Sequence, residues 1–330
     1  METLGLVVLI VVALGFDFTN GFNDAANAIA MPVSTRALSP RVALGLAAVF
    51  NLLGALVSTK VADTVGGIIN TPHTTEGLVV VFAAVVGAIG WNLVVWRFGL
   101  PSSSTHALIG GLCGAALASS GTVNWHAVER KVLIPMVASP VVGFVLGFLF
   151  MLLLLWVFRR AHPRDANVGF RMGQWVGSCA MSFGHGLQDA QKTMGVITLA
   201  LLVTHHISVF KVPLWVKFAC ALAISAGTAF GGTRIMRTLG RRVFKLDNTA
   251  GFAAQSVASS VLLTTAYVYA APVSTTHITT SSVMGVGATR KLSAVRWGVA
   301  GNIVTAWILT LPAAGLIAAV VFKIAHLFVG

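Results

Sequence analysis

Apolar runs near or above the ~18 residues that mark a spanning helix recur along this whole chain. They lie near residues 4–31, 42–58, 77–99, 103–118, 132–158, 172–203, 214–233, 252–271, 276–288 and 298–325. With 56% of 330 residues hydrophobic and only 9% charged, the expected fold is an all-α polytopic membrane protein. Basic residues outnumber acidic ones, 22 to 9, and in so apolar a chain that excess belongs to cytoplasmic loops rather than to nucleic-acid binding. Met1 and Glu2 supply no basic leader, and the run from Leu4 flows into Asp17 and Asn20, so the first helix is expected to stay in the protein. Cys113, Cys179 and Cys220 are far apart in apolar surroundings and read as packing residues.

The chain also repeats itself. "PSSSTHALIGG" at 101 recurs as "PVSTTHITTSS" at 272, an offset of 171, and "FDFTNGFNDAANAIA" at 16 recurs as "MSFGHGLQDAQKTMG" at 181, an offset of 165. Two motifs in the same order at nearly the same offset imply one duplicated half. The expected organisation is a first transmembrane repeat over 1–158, a cytoplasmic linker over 159–171 and a second repeat over 172–330. Basic residues cluster at Arg36 and Arg41, in 159–171, in 234–245 and in 290–296, while Lys60, Arg130, Lys131, Lys211, Lys217 and Lys323 are sparser. The clusters share one face if segments 77–118 and 252–288 are re-entrant hairpins that enter and leave by the same side. Each half then crosses an odd number of times, so the second is inverted relative to the first and both termini lie outside. The alternative is a set of ten simple spanning helices.

Polar residues in the apolar segments mark the working parts. Asp17, Asn20, Asp24 and Asn27 share one helix face, and Ser182, His185, Asp189 and Lys192 occupy the equivalent positions in the second half. A carboxylate at bilayer depth persists only when paired or facing a wet cavity. The duplicated carboxylates Asp24 and Asp189, each beside an amide (Asn23, Gln188), favour an ion site for Na⁺ or H⁺ over a structural salt bridge such as Asp189 to Lys192. Gly15, Gly21, Gly184, Gly186 and Gly195 surround these stripes and predict interrupted helices whose freed carbonyls complete a cation shell.

The Pro-led motifs suit the opposite charge. A helix starting after Pro101 or Pro272 leaves backbone N–H groups unpaired, and Ser102, Ser103, Ser104 and Thr105, or Ser274, Thr275 and Thr276, add hydroxyls around that positive end. The two ends can face each other across one oxyanion; plain N-capping accounts for only one or two hydroxyls in each. His106 and His277 follow the hydroxyl runs and read either as packing residues or as supporting groups. Arg97 can snorkel, brace the loop or attract the anion, and Trp91 and Trp96 read as packing or interfacial anchors.

On "NGFNDAANAIA" (20–30), "GLPSSSTHALIGG" (99–111), "GHGLQDAQKTMG" (184–195) and "PVSTTHITTSSVMGVGA" (272–288), the chain resembles the inorganic phosphate transporter family, the PiT or solute-carrier-20 type. That resemblance implies symport of phosphate with Na⁺ or H⁺ by inverted repeats, each with spanning helices, a broken helix and a re-entrant hairpin, often in a homodimer. Carried onto this sequence, it assigns phosphate to Ser103, Ser104, Thr105, Ser274, Thr275 and Thr276. It assigns cation coupling to Asn23, Asp24, Asn27, Gln188 and Asp189, with His106, His277 and Lys192 in support. Gln188 departs from the Asn that many relatives carry before the second Asp, and "DAQK" has a bacterial look that leans toward H⁺ and an inner-membrane location. No cofactor is implied, and phosphate can travel as a neutral divalent-metal complex. Sulfate is the competing tetrahedral oxyanion. An intramembrane metalloenzyme lacks H-E-x-x-H spacing or a paired nucleophile, and a passive channel would show no coupling.

Overall fold

Proline and glycine punctuate the helices. The computed structural model describes residues 2–70, 75–230, 235–236, 238–269 and 272–329. The basic residues Arg234 and Arg237, and the last residues of the 214–233 and 252–271 runs, lie outside the described residues. Pro40 opens α2 (Pro40–Val57) and Pro163 opens α7 (Pro163–Val203), positions where a missing N–H has no consequence. Gly99 closes α4 (Thr75–Phe98) in the left-handed region at φ 65°, where a Cβ would be strained.

The other principal helices are α1 (Glu2–Ser34), α3 (Lys60–Gly66), α5 (Ser104–Ala118), α6 (Ile134–Val157), α8 (Leu214–Phe230), α9 (Asn248–Thr264), α10 (Thr275–Ala288) and α11 (Trp297–Val329). Among the described residues, five stretches are long and apolar enough to cross a membrane: Thr3–Ser34, Pro40–Val57, Thr75–Phe98, Trp125–Val157 and Trp297–Phe328. The chain is a multi-pass membrane protein. A two-residue antiparallel pairing, Ile69 with Val123 and Asn70 with Thr122, joins the segments after α3 and α5.

Helix contacts come in matching pairs. α1 packs on α8 as α7 packs on α2, α5 on α11 as α10 on α6, α4 on α11 as α9 on α6, and α4 on α5 as α9 on α10. α5 and α10 lie innermost, and every residue of α10 is buried.

One sequence expectation changes. The stripe helices are unbroken: α1 and α7 run continuously through Gly15, Gly21, Gly184, Gly186 and Gly195. Three of these glycines serve close helix approach. A Cβ on Gly21 would lie 2.2 Å from the Ile224 carbonyl oxygen, one on Gly186 2.1 Å from that of Asn51, and one on Gly195 2.7 Å from that of Ala62. Backbone packed against backbone leaves no room for a side chain. α7 begins at Pro163, so most of the 159–171 range is helical.

Gly186→Val should therefore destabilise the fold by about 1–3 kcal/mol or more through overpacking. The readout is the melting temperature of the purified protein in detergent, with Gly169→Val, where a Cβ meets nothing within 4 Å, as the expected near-neutral control.

Candidate functional site

The site grows from two mirrored helix starts. After Gly99 the chain runs through Leu100, Pro101 and Ser102 to Ser103, whose extended backbone and side-chain oxygen cap α5 by accepting from the His106 N–H at 3.2 Å. After Pro272 and Val273, Ser274 does the same for α10, accepting from the His277 N–H at 3.2 Å. The cap thus uses only one hydroxyl per motif, leaving Ser104 and Thr105, and Thr275 and Thr276, for other partners. The first loop is pinned by α11: Trp307 Nε1 donates to the Pro101 carbonyl at 3.0 Å, and Ser102 and Thr310 hydroxyls lie 2.7 Å apart.

The two starts touch. Thr276 Oγ1 lies 2.9 Å from the Ser102 carbonyl oxygen and 3.2 Å from Asp24 Oδ1, so its single proton can serve either. The rings of His106 and His277 meet edge to face with centroids 4.8 Å apart, and His277 stacks on Trp307 at 3.9 Å. All of these side chains are buried.

Around the starts stand the two acids. Asp24 accepts from Asn27 Nδ2 at 3.0 Å and, through Oδ2, from the Ser104 hydroxyl at 3.0 Å. Asn27 Nδ2 also lies 2.8 Å from Thr276 Oγ1 and 3.3 Å from Thr275 Oγ1. In the second half, Lys192 Nζ lies 3.0 Å from Asp189 Oδ1, 3.0 Å from Ser104 Oγ and 2.8 Å from Thr105 Oγ1. The Asp189–Lys192 ion pair that the sequence offered as a structural alternative is therefore present, and it is part of the same cluster. One ligand atom each from Asp24, His185 and Asp189 lie within 4.8 Å of one another, close enough to share one cation. Hydroxyl and backbone donors at two helix N-termini suit an anion, and adjacent carboxylates suit a cation, so this arrangement can hold an ion pair in a buried place.

Most of the expected residues converge here: Ser103, Ser104, Thr105, Ser274, Thr275, Thr276, Asp24, Asn27, Asp189, Lys192, His106 and His277. Asn23 and Gln188 make their hydrogen bonds elsewhere. Asn23 Nδ2 donates to the Asn92 carbonyl of α4 at 3.5 Å, and Gln188 Nε2 to the Leu262 carbonyl of α9 at 3.1 Å and to Thr265 Oγ1 at 3.0 Å. These bonds tie α1 to α4 and α7 to α9. Arg97 is exposed in the last turn of α4, unlike the buried cluster.

Two further residues of the stripes, His185 and Asn20, join the site. His185 sits with Nε2 3.1 Å from Asp189 Oδ2 and Nδ1 3.0 Å from Asn51 Oδ1, and Asn20 Nδ2 lies 3.5 Å from Asp189 Oδ2. Their position one helical turn before Asp189 and Asp24 was the available signal.

Buried, oppositely charged groups lie at paired helix N-termini inside a multi-pass helical fold, an arrangement suited to a membrane transporter of small ions. The comparisons agree. The model of the phosphate transporter family matches residues 20–318. A "Probable low-affinity inorganic phosphate transporter" of Rhizobium meliloti (strain 1021) is 48% identical over 98% of this chain and 97% of its own. One of the same description from Bacillus subtilis (strain 168) is 41% identical over 97% of each chain. A solved structure described as "The sodium-dependent phosphate transporter" superposes with a TM-score of 0.88 at 26% identity, covering 98% of this chain and 99% of the other. The chain belongs to the phosphate transporter family and is a transporter rather than an enzyme.

Proposed function

We propose that this protein imports inorganic phosphate together with Na⁺ or H⁺, by alternating access between two inverted repeats. The observation that carries the reading is the meeting of two equivalent capped helix starts at one pair of buried carboxylates, Asp24 and Asp189. Phosphate is held by Ser103, Ser104, Thr105 and their counterparts Ser274, Thr275 and Thr276, and the coupling cation by Asp24 and Asp189. Two carboxylates beside an anion repel it until a cation offsets their charge, and that repulsion couples the two fluxes.

The names of the relatives support phosphate as the substrate, and the sodium-dependent relative supports a cation partner. The α5 and α10 helices, at 15 and 14 residues, are too short to cross ~30 Å of hydrocarbon alone, which supports re-entrant hairpins of α4 with α5 and of α9 with α10. The paired contacts of the two halves support a duplicated unit, and the basic clusters support an inverted second copy with both termini outside.

Sulfate is the competing substrate, since hydroxyl and amide donors accept either anion. Phosphate carries a proton at neutral pH and can donate it to a carboxylate such as Asp24; sulfate has none to give. The test is uptake of labelled phosphate into proteoliposomes under separately imposed Na⁺ and H⁺ gradients. Accumulation driven by one of them, undiminished by excess sulfate, is expected. Equilibration without regard to either gradient would place the protein among channels.

The double variants Ser103→Ala/Thr105→Ala and Ser274→Ala/Thr276→Ala should each raise the KM for phosphate by roughly tenfold or more, given about 1.5–3 kcal/mol per hydrogen bond to a charged group. Uptake kinetics in intact cells, normalised to protein in the membrane, check this.

A further inference from the structure

The two helix starts are each met by an equivalent nitrogen, one neutral and one charged. Asn27 and Lys192 occupy equivalent positions of the two stripes, 165 residues apart. The Asn27 amide nitrogen contacts Asp24, Thr275 and Thr276 at 3.0, 3.3 and 2.8 Å. The Lys192 ammonium contacts Asp189, Ser104 and Thr105 at 3.0, 3.0 and 2.8 Å. Each nitrogen therefore sits between the acid of its own helix and the first two hydroxyls of a helix start, and Ser104 and Thr105 are the counterparts of Thr275 and Thr276. The amide has two hydrogens for three acceptors; the ammonium has three for three. Lys192 is almost wholly buried, so its charge is held within the site and is not shared with water. Its acceptors, one carboxylate oxygen and two hydroxyls, are the hard oxygen ligands that a metal cation takes.

We propose that the Lys192 ammonium is a built-in cation that fills one of two equivalent cation positions. The protein then moves phosphate with one fewer mobile cation than the same site carrying an amide at residue 192. The inference rests on the cation-symport reading above. It differs from a role for Lys192 as a direct phosphate anchor, which would set affinity and leave the ion count alone. It also gives the two acids different partners: Asp189 has a tethered one, while Asp24 has only neutral donors in the described contacts, which leaves the Asp24 side of their shared site to the mobile cation.

The experiment compares purified wild type, Lys192→Asn, Asn27→Lys and the swap Asn27→Lys/Lys192→Asn in proteoliposomes. Phosphate and cation gradients are opposed until net flux vanishes, which yields the cation-to-phosphate ratio. Lys192→Asn should raise that ratio by one, Asn27→Lys should lower it by one, and the swap should return it to the wild-type value. A ratio unchanged in Lys192→Asn, with wild type still driven by a cation gradient, overturns the inference and leaves symport standing. Wild-type uptake indifferent to every cation gradient overturns both.

Should Lys192→Asn fail to transport, its thermal unfolding in detergent decides. Saturable stabilisation by Na⁺ at fixed pH, or by lowered pH at fixed Na⁺, that the wild type lacks supports the tethered cation. No such gain over the wild type overturns it.

Discussion

Asp24→Asn should leave a folded, membrane-inserted protein whose phosphate uptake is lower by about 100-fold, the upper range of coupling free energies between linked sites. The side chain keeps its shape. The Asn27 amide can still donate to the new carbonyl oxygen, and the Ser104 hydroxyl, now a donor to Oδ2 at 3.0 Å, can turn to accept from the new amide. The loss is the charge that draws the coupling cation. A fold defect is not expected, because Asp24 has no ion-paired base in the described contacts whose charge would be stranded. Cell-surface abundance and labelled-phosphate uptake, measured on the same cells, separate the two effects.

Asp189→Asn should behave differently. Its removal strands the Lys192 ammonium, buried with two hydroxyls for company, and breaking a buried pair from one side costs about 3–5 kcal/mol. The expected result is loss of folded protein as well as transport, seen as a collapse of the monodisperse peak in detergent chromatography. Removing both charges in Asp189→Asn/Lys192→Met should recover much of the folded yield, because replacing a buried pair is often neutral. Transport should not return. If the single and double variants fold equally badly, the pair is not what holds α7 against the start of α5.

Most of this site was legible in the sequence because a buried carboxylate in an apolar run demands an explanation, and here it was given twice. The offset repeats placed Asp24 over Asp189 and Ser104 over Thr275 before any geometry was known. Helical spacing put Asn27 and Lys192 on the stripes, and the structure brings both to the helix starts. What spacing could not convey was which side of a close contact a residue faces. Asn23 and Gln188 are sequence neighbours of the acids, yet consecutive helical residues diverge by about 100°, and theirs is the direction of α4 and α9. The glycines misled for a related reason. A glycine that loosens a helix and one that admits a neighbouring backbone look identical in sequence, and only the 2.2 Å approach of the Ile224 carbonyl to a Cβ on Gly21 distinguishes them. Crossings such as α1 on α8 bring together residues some 200 positions apart, beyond the reach of any local pattern.

Coupling in the proposed mechanism requires phosphate and the cation to share one buried site. Titration calorimetry of phosphate into the purified protein, repeated over a range of Na⁺ concentrations and of pH, tests this most directly. The expected result is a phosphate Kd that falls steadily as one of the two cations rises, with that dependence abolished in Asp24→Asn. A Kd indifferent to both cations, or the same cation dependence in wild type and Asp24→Asn, would contradict it.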